Sequence, residues 1–295
     1  RQHGIKLVPS GGRTGLSGGA MATNGELVLS MERMRKISPV DRAGRSVTCE
    51  AGAITAQIQQ AAAEEGLMYP VDFASSGSSQ IGGNIATNAG GIQVIRYGMT
   101  RDWVTGLKVV TGTGELLELN QGLIKNNTGL DFRHLFIGSE GILGVIVEAT
   151  LALTDPPRNP RVMVLGVRSM AALMQVLASC QAQLSILAFE FFSDLALEKV
   201  TAEHSIQPPL QERYPFYALV EFESTFATAE TQALEVVEAC IARGWVADAV
   251  LSQSESQRRS LWRLREDISE TIAQWTPYKN DISTTVQQAP ELLSR

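Results

Sequence analysis

The sequence predicts an α+β protein of two domains, and three observations carry that prediction. All but Gly166 and Gly244 of the 26 glycines lie before residue 150, so the two parts of the chain follow different folding rules. A proline cluster, Thr154-Asp155-Pro156-Pro157-Arg158-Asn159-Pro160, sits at the break. Proline lacks the N–H that a ladder or a helix interior needs, so the cluster reads as a linker. Beyond it, apolar stretches alternate between strand and helix periodicity. The expected boundaries are 1–153, a linker at 154–160, and 161–295.

In the first part, Ile5-Lys6-Leu7-Val8 reads as a strand feeding Pro9-Ser10-Gly11-Gly12-Arg13-Thr14-Gly15-Leu16-Ser17-Gly18-Gly19. Five glycines in nine residues exclude a helix or regular strand and let another group approach the backbone closely. Successive N–H groups in such a turn converge into a nest for anions. Ser10, Thr14 and Ser17 add hydroxyls, and Arg13 adds a charge. The loop has no Lys for a P-loop and lacks the G-x-G-x-x-G spacing of a Rossmann turn. It reads as a backbone-held diphosphate site outside those folds, or as a surface loop without a ligand.

Glu26–Met31 and Ser46–Ala51 read as strands. Ile54–Glu65 reads as a helix with Ile54, Ile58, Ala61 and Ala62 on one face and Gly66 closing it. A second glycine-dense segment follows, from Gly77-Ser78 through Ile81-Gly82-Gly83-Asn84 to Ala89-Gly90-Gly91. Its small side chains suit a large flat ligand lying on backbone, or the packing of one backbone on another. Leu107–Leu119 has the pattern of a β-hairpin turning at Gly112-Thr113-Gly114. A third glycine-bearing stretch, Leu135–Val147, runs into a strand ending near Leu153. Glu140 within it is either a ligand contact or a helix-start carboxylate.

In the second part, strands are expected at 161–167, 188–192, 217–222 and 246–251, with amphipathic helices at 170–182 and 227–243. That order is the ferredoxin-like pattern. A last helix carries Trp262-Arg263-Leu264-Arg265-Glu266-Asp267-Ile268-Ser269, followed by Lys279-Asn280-Asp281. Arg265 and Ser269 are four apart and share a helical face. Arg265 offers a carboxylate a planar pair of donors. The plainer alternative is that Arg265, Glu266 and Lys279 form a solvated charged face.

Composition narrows the function classes. With 44% hydrophobic and 19% charged residues, the chain reads as globular. A net charge of −6, without a basic cluster among aromatics, argues against nucleic acid. No apolar run approaches a membrane span. The isolated Cys49, Cys180 and Cys240 read as buried thiols.

Three segments in order carry a resemblance: Pro9–Gly19; Ile81–Gly91 with Arg96-Tyr97-Gly98; and Asn127-Thr-Gly-Leu-Asp131 with Phe136–Val145. Together they resemble the PCMH-type FAD-binding domain of the vanillyl-alcohol-oxidase-like flavoproteins. The nearest branch is the one holding D-2-hydroxyglutarate dehydrogenase, D-lactate dehydrogenase and the glycolate oxidase FAD subunit. The resemblance implies that Pro9, Ser10, Gly11, Gly12, Arg13, Thr14, Gly15, Leu16 and Ser17 hold the FAD pyrophosphate. It implies that Gly77, Ser78, Gly82, Gly83 and the Ala89-Gly90-Gly91 turn line the flavin and ribityl chain, that the backbone of Val145 and Ile146 lies near the adenine end, and that Ile81, Asn84 and Glu140 are further cofactor contacts. Arg13 stands near where some relatives attach FAD covalently through His, so non-covalent FAD is expected.

By the same resemblance the second part is a cap domain, and Arg265, Ser269 and Lys279 bind a substrate carboxylate. The expected reaction is oxidation of a D-2-hydroxy acid to the 2-oxo acid by hydride transfer from C2 to flavin N5. D-2-hydroxyglutarate is preferred, then D-lactate or glycolate. The alternative is a non-catalytic FAD-binding subunit. Electrons would pass to an electron-transfer flavoprotein, a quinone or a cytochrome. None of His3, His134 and His204 lies in the paired-histidine segment that supplies the base and metal ligands in that branch. The base, and any zinc or other divalent ion, are therefore expected outside this chain, which we read as a fragment truncated at both ends. A homodimer is compatible with the resemblance. The expected location is the cytoplasm, or the periphery of the inner membrane.

Overall fold

The computed structural model describes residues 4–123, 125–225, 228–278, 280 and 282–294. The chain divides into two compact units between Pro156 and Pro157.

In the first unit, strands β1 (Leu7–Ser10) and β2 (Leu27–Ser30) form a parallel pair, with Leu7 opposite Leu27 and Ser10 opposite Ser30. Strand β3 (Ser46–Glu50) leads to helix α1 (Thr55–Glu64). Short helices α2 (Ile81–Ala86), α3 (Val94–Tyr97) and α4 (Thr100–Trp103) follow. Strands β4 (Val104–Thr111) and β5 (Leu116–Leu119) make the expected hairpin, then helix α5 (Arg133–Phe136) precedes strand β6 (Gly144–Ala152). Strands β3, β6, β4 and β5 form one antiparallel sheet in that spatial order.

The core of this unit follows from alternation. Val47 and Cys49 of β3 point inward, as do Ile146, Ala149 and Leu151 of β6, and α1 adds Ile58 and Ala62. Burying such side chains stabilises by about 1.5–3 kcal/mol for each large one. Burial raises the Cys49 thiol to about 12, so it stays protonated. The helix α2 is not evident in the sequence. Two adjacent glycines in six residues lower its intrinsic propensity, and tertiary hydrogen bonds hold it instead: Ile81 N–H to Ala53 O at 3.0 Å, and Gly82 N–H to Ala51 O at 2.8 Å.

The second unit has strand β7 (Pro160–Val167), helix α6 (Met170–Gln183), strand β8 (Ile186–Ser193), helix α7 (Asp194–His204), strand β9 (Phe216–Glu223), helix α8 (Thr228–Ala242) and strand β10 (Val246–Leu251). Helices α9 (Glu255–Glu266) and α10 (Ile268–Thr271) come next. Two 3-10 turns, Ile272–Trp275 and Val286–Gln288, and helix α11 (Ala289–Ser294) end the described chain. The sheet order is β10-β7-β9-β8, antiparallel throughout, which is the ferredoxin-like arrangement. Helix α7 is an addition between β8 and β9.

Pro160, expected in the linker, instead opens β7 opposite Glu223. A first strand position tolerates proline because its missing N–H interrupts no ladder. Thr154, at the other end of the expected linker, bridges to Met68.

The two faces of the second sheet differ. One face sends Met163, Leu165, Ala218, Val220 and Phe222 against α6 and α8. The other receives α9, and carries two carboxylates, Glu190 and Glu221. Among the described residues no helix is long and apolar enough to cross a membrane.

Candidate functional site

Strand β1 delivers Pro9 and Ser10 to the first glycine loop. Ser10 is buried, and its carbonyl accepts from Met31 N–H at 3.0 Å, which anchors the base of the loop. A Cβ on Gly12 would fall 2.3 Å from the carbonyl oxygen of Ser78, so the loop lies flat on the second glycine segment. A Cβ on Gly11 would lie 3.5 Å from Gln80 Oε1. On the far side, a Cβ on Gly19 would be 3.8 Å from Glu140 Oε2, and one on Gly141 would be 3.3 Å from Pro9 Cγ. Glu140 N–H in turn donates to Ala86 O at 2.8 Å. Three segments far apart in sequence thus meet where β1 ends.

The expected cofactor residues separate into two groups. Thr14, Gly15, Leu16, Ser17, Gly77, Ser78, Gly83 and Gly90 keep solvent-facing surface. Added Cβ atoms on Gly15, Gly77 and Gly83 would meet nothing within 4 Å. The side chains of Ile81, Asn84 and Ile146 are buried. Ile81 and Ile146 belong to the core, and Asn84 turns inward to donate to Thr55 Oγ1 at 2.7 Å. The backbone of Val145 and Ile146 lies in register with Val110 and Val109 of β4. Gly82 and Gly91 serve packing, because a Cβ there would meet Ala51 and the backbone of Asp72.

Charge decides where an anion fits. The guanidinium of Arg13 pairs with Glu32 at 3.2 Å, both exposed. Glu140 beside Gly19 would repel a phosphate there. A diphosphate is therefore best accommodated on the Gly11–Gly15 side, by backbone N–H groups. Glu140 suits a hydroxyl or N–H donor of the ligand instead. Apolar side chains on these segments stand in solvent, among them Leu16 and Ile142, the latter 85% exposed. Exposed apolar groups beside open glycine backbone suit a large flat ring system. In these respects FAD fits the residues present. Gln80, which sequence reasoning missed, is buried at the seam of the two glycine segments, and its Oε1 has no hydrogen-bond partner among the described residues.

Near the third segment, Arg101 donates through Nη2 to Ile137 O at 2.7 Å and meets His134 Nδ1 through Nη1 at 2.9 Å. Asp131 is clasped by Arg133, which holds its carboxyl below the usual range. His134 thus helps to fix the segment. In the second unit, His204 Nε2 lies 2.9 Å from the buried Thr271 hydroxyl and joins α7 to α10.

Arg265, the expected substrate ligand, is on α9, and its Nε donates to Glu190 Oε2 of β8 at 2.8 Å. Arg258, seven residues earlier, donates through Nη1 to Glu221 Oε1 at 2.5 Å. Glu221 is 1% exposed and also accepts from Trp262 Nε1 at 3.0 Å. Arg258 and Arg259 also bond to Glu255, lowering its carboxyl to about 2. Sequence reasoning missed Glu190 and Glu221. Their signal was a single carboxylate inside each of two otherwise apolar strands, Ala188-Phe-Glu-Phe-Phe192 and Leu219-Val-Glu-Phe222.

The expected single helix through Ser269 is divided at Asp267 into α9 and α10. Asp267 pairs with Arg263 at 2.9 Å, and its backbone stays near helical values, so Ser269 remains about one turn from Arg265 and is exposed. Lys279 lies outside the described residues.

Comparison with known proteins agrees with this geometry. Residues 1–120 match the family described as FAD binding domain, and residues 156–295 match FAD linked oxidases, C-terminal domain. The chain is 57% identical over 291 residues to a D-2-hydroxyglutarate dehydrogenase of Stutzerimonas stutzeri (strain A1501), covering 99% of this chain and 63% of that protein. It is 57% identical to one of Xanthomonas citri pv. viticola over 98% of this chain and 61% of that protein. The mitochondrial D-2-hydroxyglutarate dehydrogenase of Bos taurus is 34% identical, with 99% and 54% covered. The chain thus spans about three fifths of the length of the two bacterial relatives. Two solved structures of alkyldihydroxyacetonephosphate synthase share the fold. One has a TM-score of 0.71 at 20% identity over 93% of this chain and 52% of that one. The other has a TM-score of 0.74 at 19% identity over 99% and 60%. The chain thus carries, in order, a segment similar to an FAD binding domain and one similar to the C-terminal domain of FAD linked oxidases, and its glycine segments come together as a cradle.

Proposed function

We propose that this chain is the FAD-binding and substrate-docking part of a D-2-hydroxy acid dehydrogenase, with D-2-hydroxyglutarate preferred over D-lactate or glycolate. The observation that carries the reading is the 57% identity, across nearly the whole chain, to two proteins named D-2-hydroxyglutarate dehydrogenase. FAD, when bound, supplies the two-electron acceptor for the hydride that leaves substrate C2. It is held without a covalent bond, by the amides of Gly11–Gly15 and the open backbone at Gly77 and Gly83. Arg265 takes the substrate carboxylate through its guanidinium fork, and Ser269 donates a hydroxyl one turn away. Docking of this kind replaces a bimolecular encounter with an oriented one. The two described histidines are committed to Arg101 and Thr271. By the resemblance stated above, which supplies the base from a paired-histidine segment, the base that takes the hydroxyl proton is assigned outside this chain.

The test is anaerobic titration of the full-length flavoprotein with a panel of D-2-hydroxy acids, followed by turnover with an artificial acceptor. D-2-Hydroxyglutarate should bleach the flavin at the lowest concentration. Arg265→Ala should raise KM on the order of a hundredfold, the loss of one charge-assisted bidentate contact worth roughly 2–3 kcal/mol. A flavin that binds but is bleached by none of the acids would favour a non-catalytic FAD-binding subunit.

A further inference from the structure

We infer that Glu190 is a positioning residue that aims Arg265 at the substrate carboxylate. This inference rests on the carboxylate-docking reading given above. A guanidinium has two edges able to receive a carboxylate: the side edge, with Nε and one terminal nitrogen, and the end edge, with both terminal nitrogens. Glu190 Oε2 holds Nε at 2.8 Å and so engages the side edge. The end edge is then the one presented to a ligand.

The support beneath this pair is built. Glu190 comes from the middle of β8, opposite Leu219 of β9, and a strand in a sheet is a rigid base. Arg265 is half-buried, so its long side chain has few rotamers to choose from. The helix that carries it is locked in register two turns earlier, where Arg258 meets the fully buried Glu221 at 2.5 Å and Trp262 donates to the same carboxylate. Two sheet carboxylates thus hold two arginines seven residues apart on one face of α9. The first pair, buried and sharing a donor with Trp262, fixes the helix. The second, with Arg265 35% and Glu190 22% exposed, lies where a ligand can reach the guanidinium.

This arrangement makes a kinetic signature. Docking by Arg265 is the same in the ground state and the transition state, so a loss of aim appears in KM and leaves kcat nearly unchanged. The experiment is steady-state kinetics of the full-length flavoprotein with D-2-hydroxyglutarate. Flavin content and melting temperature are measured for each variant. Glu190→Ala should raise KM about tenfold with kcat within twofold. Glu190→Gln, which keeps an acceptor in the same place, should stay within threefold of wild type, and Glu190→Asp, one methylene shorter, should lie between. Glu190→Ala combined with Arg265→Ala should be no worse than Arg265→Ala alone. Should Glu190→Ala fail to fold, the Gln and Asp variants decide, since only Asp should raise KM.

Two results would overturn the inference while leaving the docking reading intact. One is an unchanged KM in Glu190→Ala, or in Glu190→Asp if only that variant folds, when Arg265→Ala has raised it. The other is a KM that falls, which would mean that Glu190 competes with substrate for Arg265. An unchanged KM in Arg265→Ala would instead remove the docking reading, and this inference with it.

Discussion

A single methyl group separates the two kinds of glycine in the first loop. Gly12 faces backbone: a Cβ there would sit 2.3 Å from Ser78 O, and backbone cannot swing aside as a flexible side chain can. Gly15 faces open space within 4 Å. Gly12→Ala should therefore part the two glycine segments, lowering the melting temperature and the flavin-to-protein ratio together. Overpacking of this kind costs about 1–3 kcal/mol. Gly15→Ala should leave the melting temperature of the flavin-free protein unchanged and weaken flavin binding alone. Fluorescence titration with FAD and a thermal melt of each variant check this. Equal behaviour of the two variants would contradict the assignment of Gly12 to packing and Gly15 to the ligand.

Helix α9 shows how an element is placed by charge as much as by apolar burial. Leu261, Trp262 and Leu264 are buried, yet the same face contains Arg258 and Arg265, each matched to a sheet carboxylate. A buried ion pair gains little net stability over a well-packed apolar pair, but removing one partner strands the other. Arg258→Ala leaves Glu221, 1% exposed, with Trp262 Nε1 and no guanidinium from α9 at that position. Losing this one charge-assisted contact should cost about 1–3 kcal/mol, measured by urea unfolding of the full-length protein. A loss below about 1 kcal/mol would show that apolar packing alone docks the helix. That a last helix carries Trp262 to Glu266 was legible in the sequence. Its partners were not, because Glu190 and Glu221 lie far back in the chain and become neighbours only when the sheet forms.

At the scale of the whole chain, the cradle is an assembly of distant segments. The loop after β1, the stretch around α2 and the turn before β6 come from distant parts of the chain and meet in the folded unit. A ligand that touches all three should tighten them together. Hydrogen exchange of the full-length protein with and without FAD should show added protection in residues 11–19, 77–91 and 138–142 at once. At a free FAD concentration 100 times Kd, binding adds about 2.7 kcal/mol to the stability of the state that binds. Protection confined to one of the three segments would contradict the convergence seen here.

Local rules were enough for much of this protein. Glycine density, the Gly112–Gly114 turn and the alternation of apolar residues marked the loops, the hairpin and the strand–helix order of the second unit. Each of those depends on residues within a few positions of one another. The tertiary structure alone decided which glycines face open space and which admit a neighbouring backbone. It turned Asn84 inward, gave α2 its helical form despite two adjacent glycines, and set Glu190 against Arg265. Those outcomes depend on burial and on partners brought together from distant parts of the chain, and neither is encoded in a local window of residues.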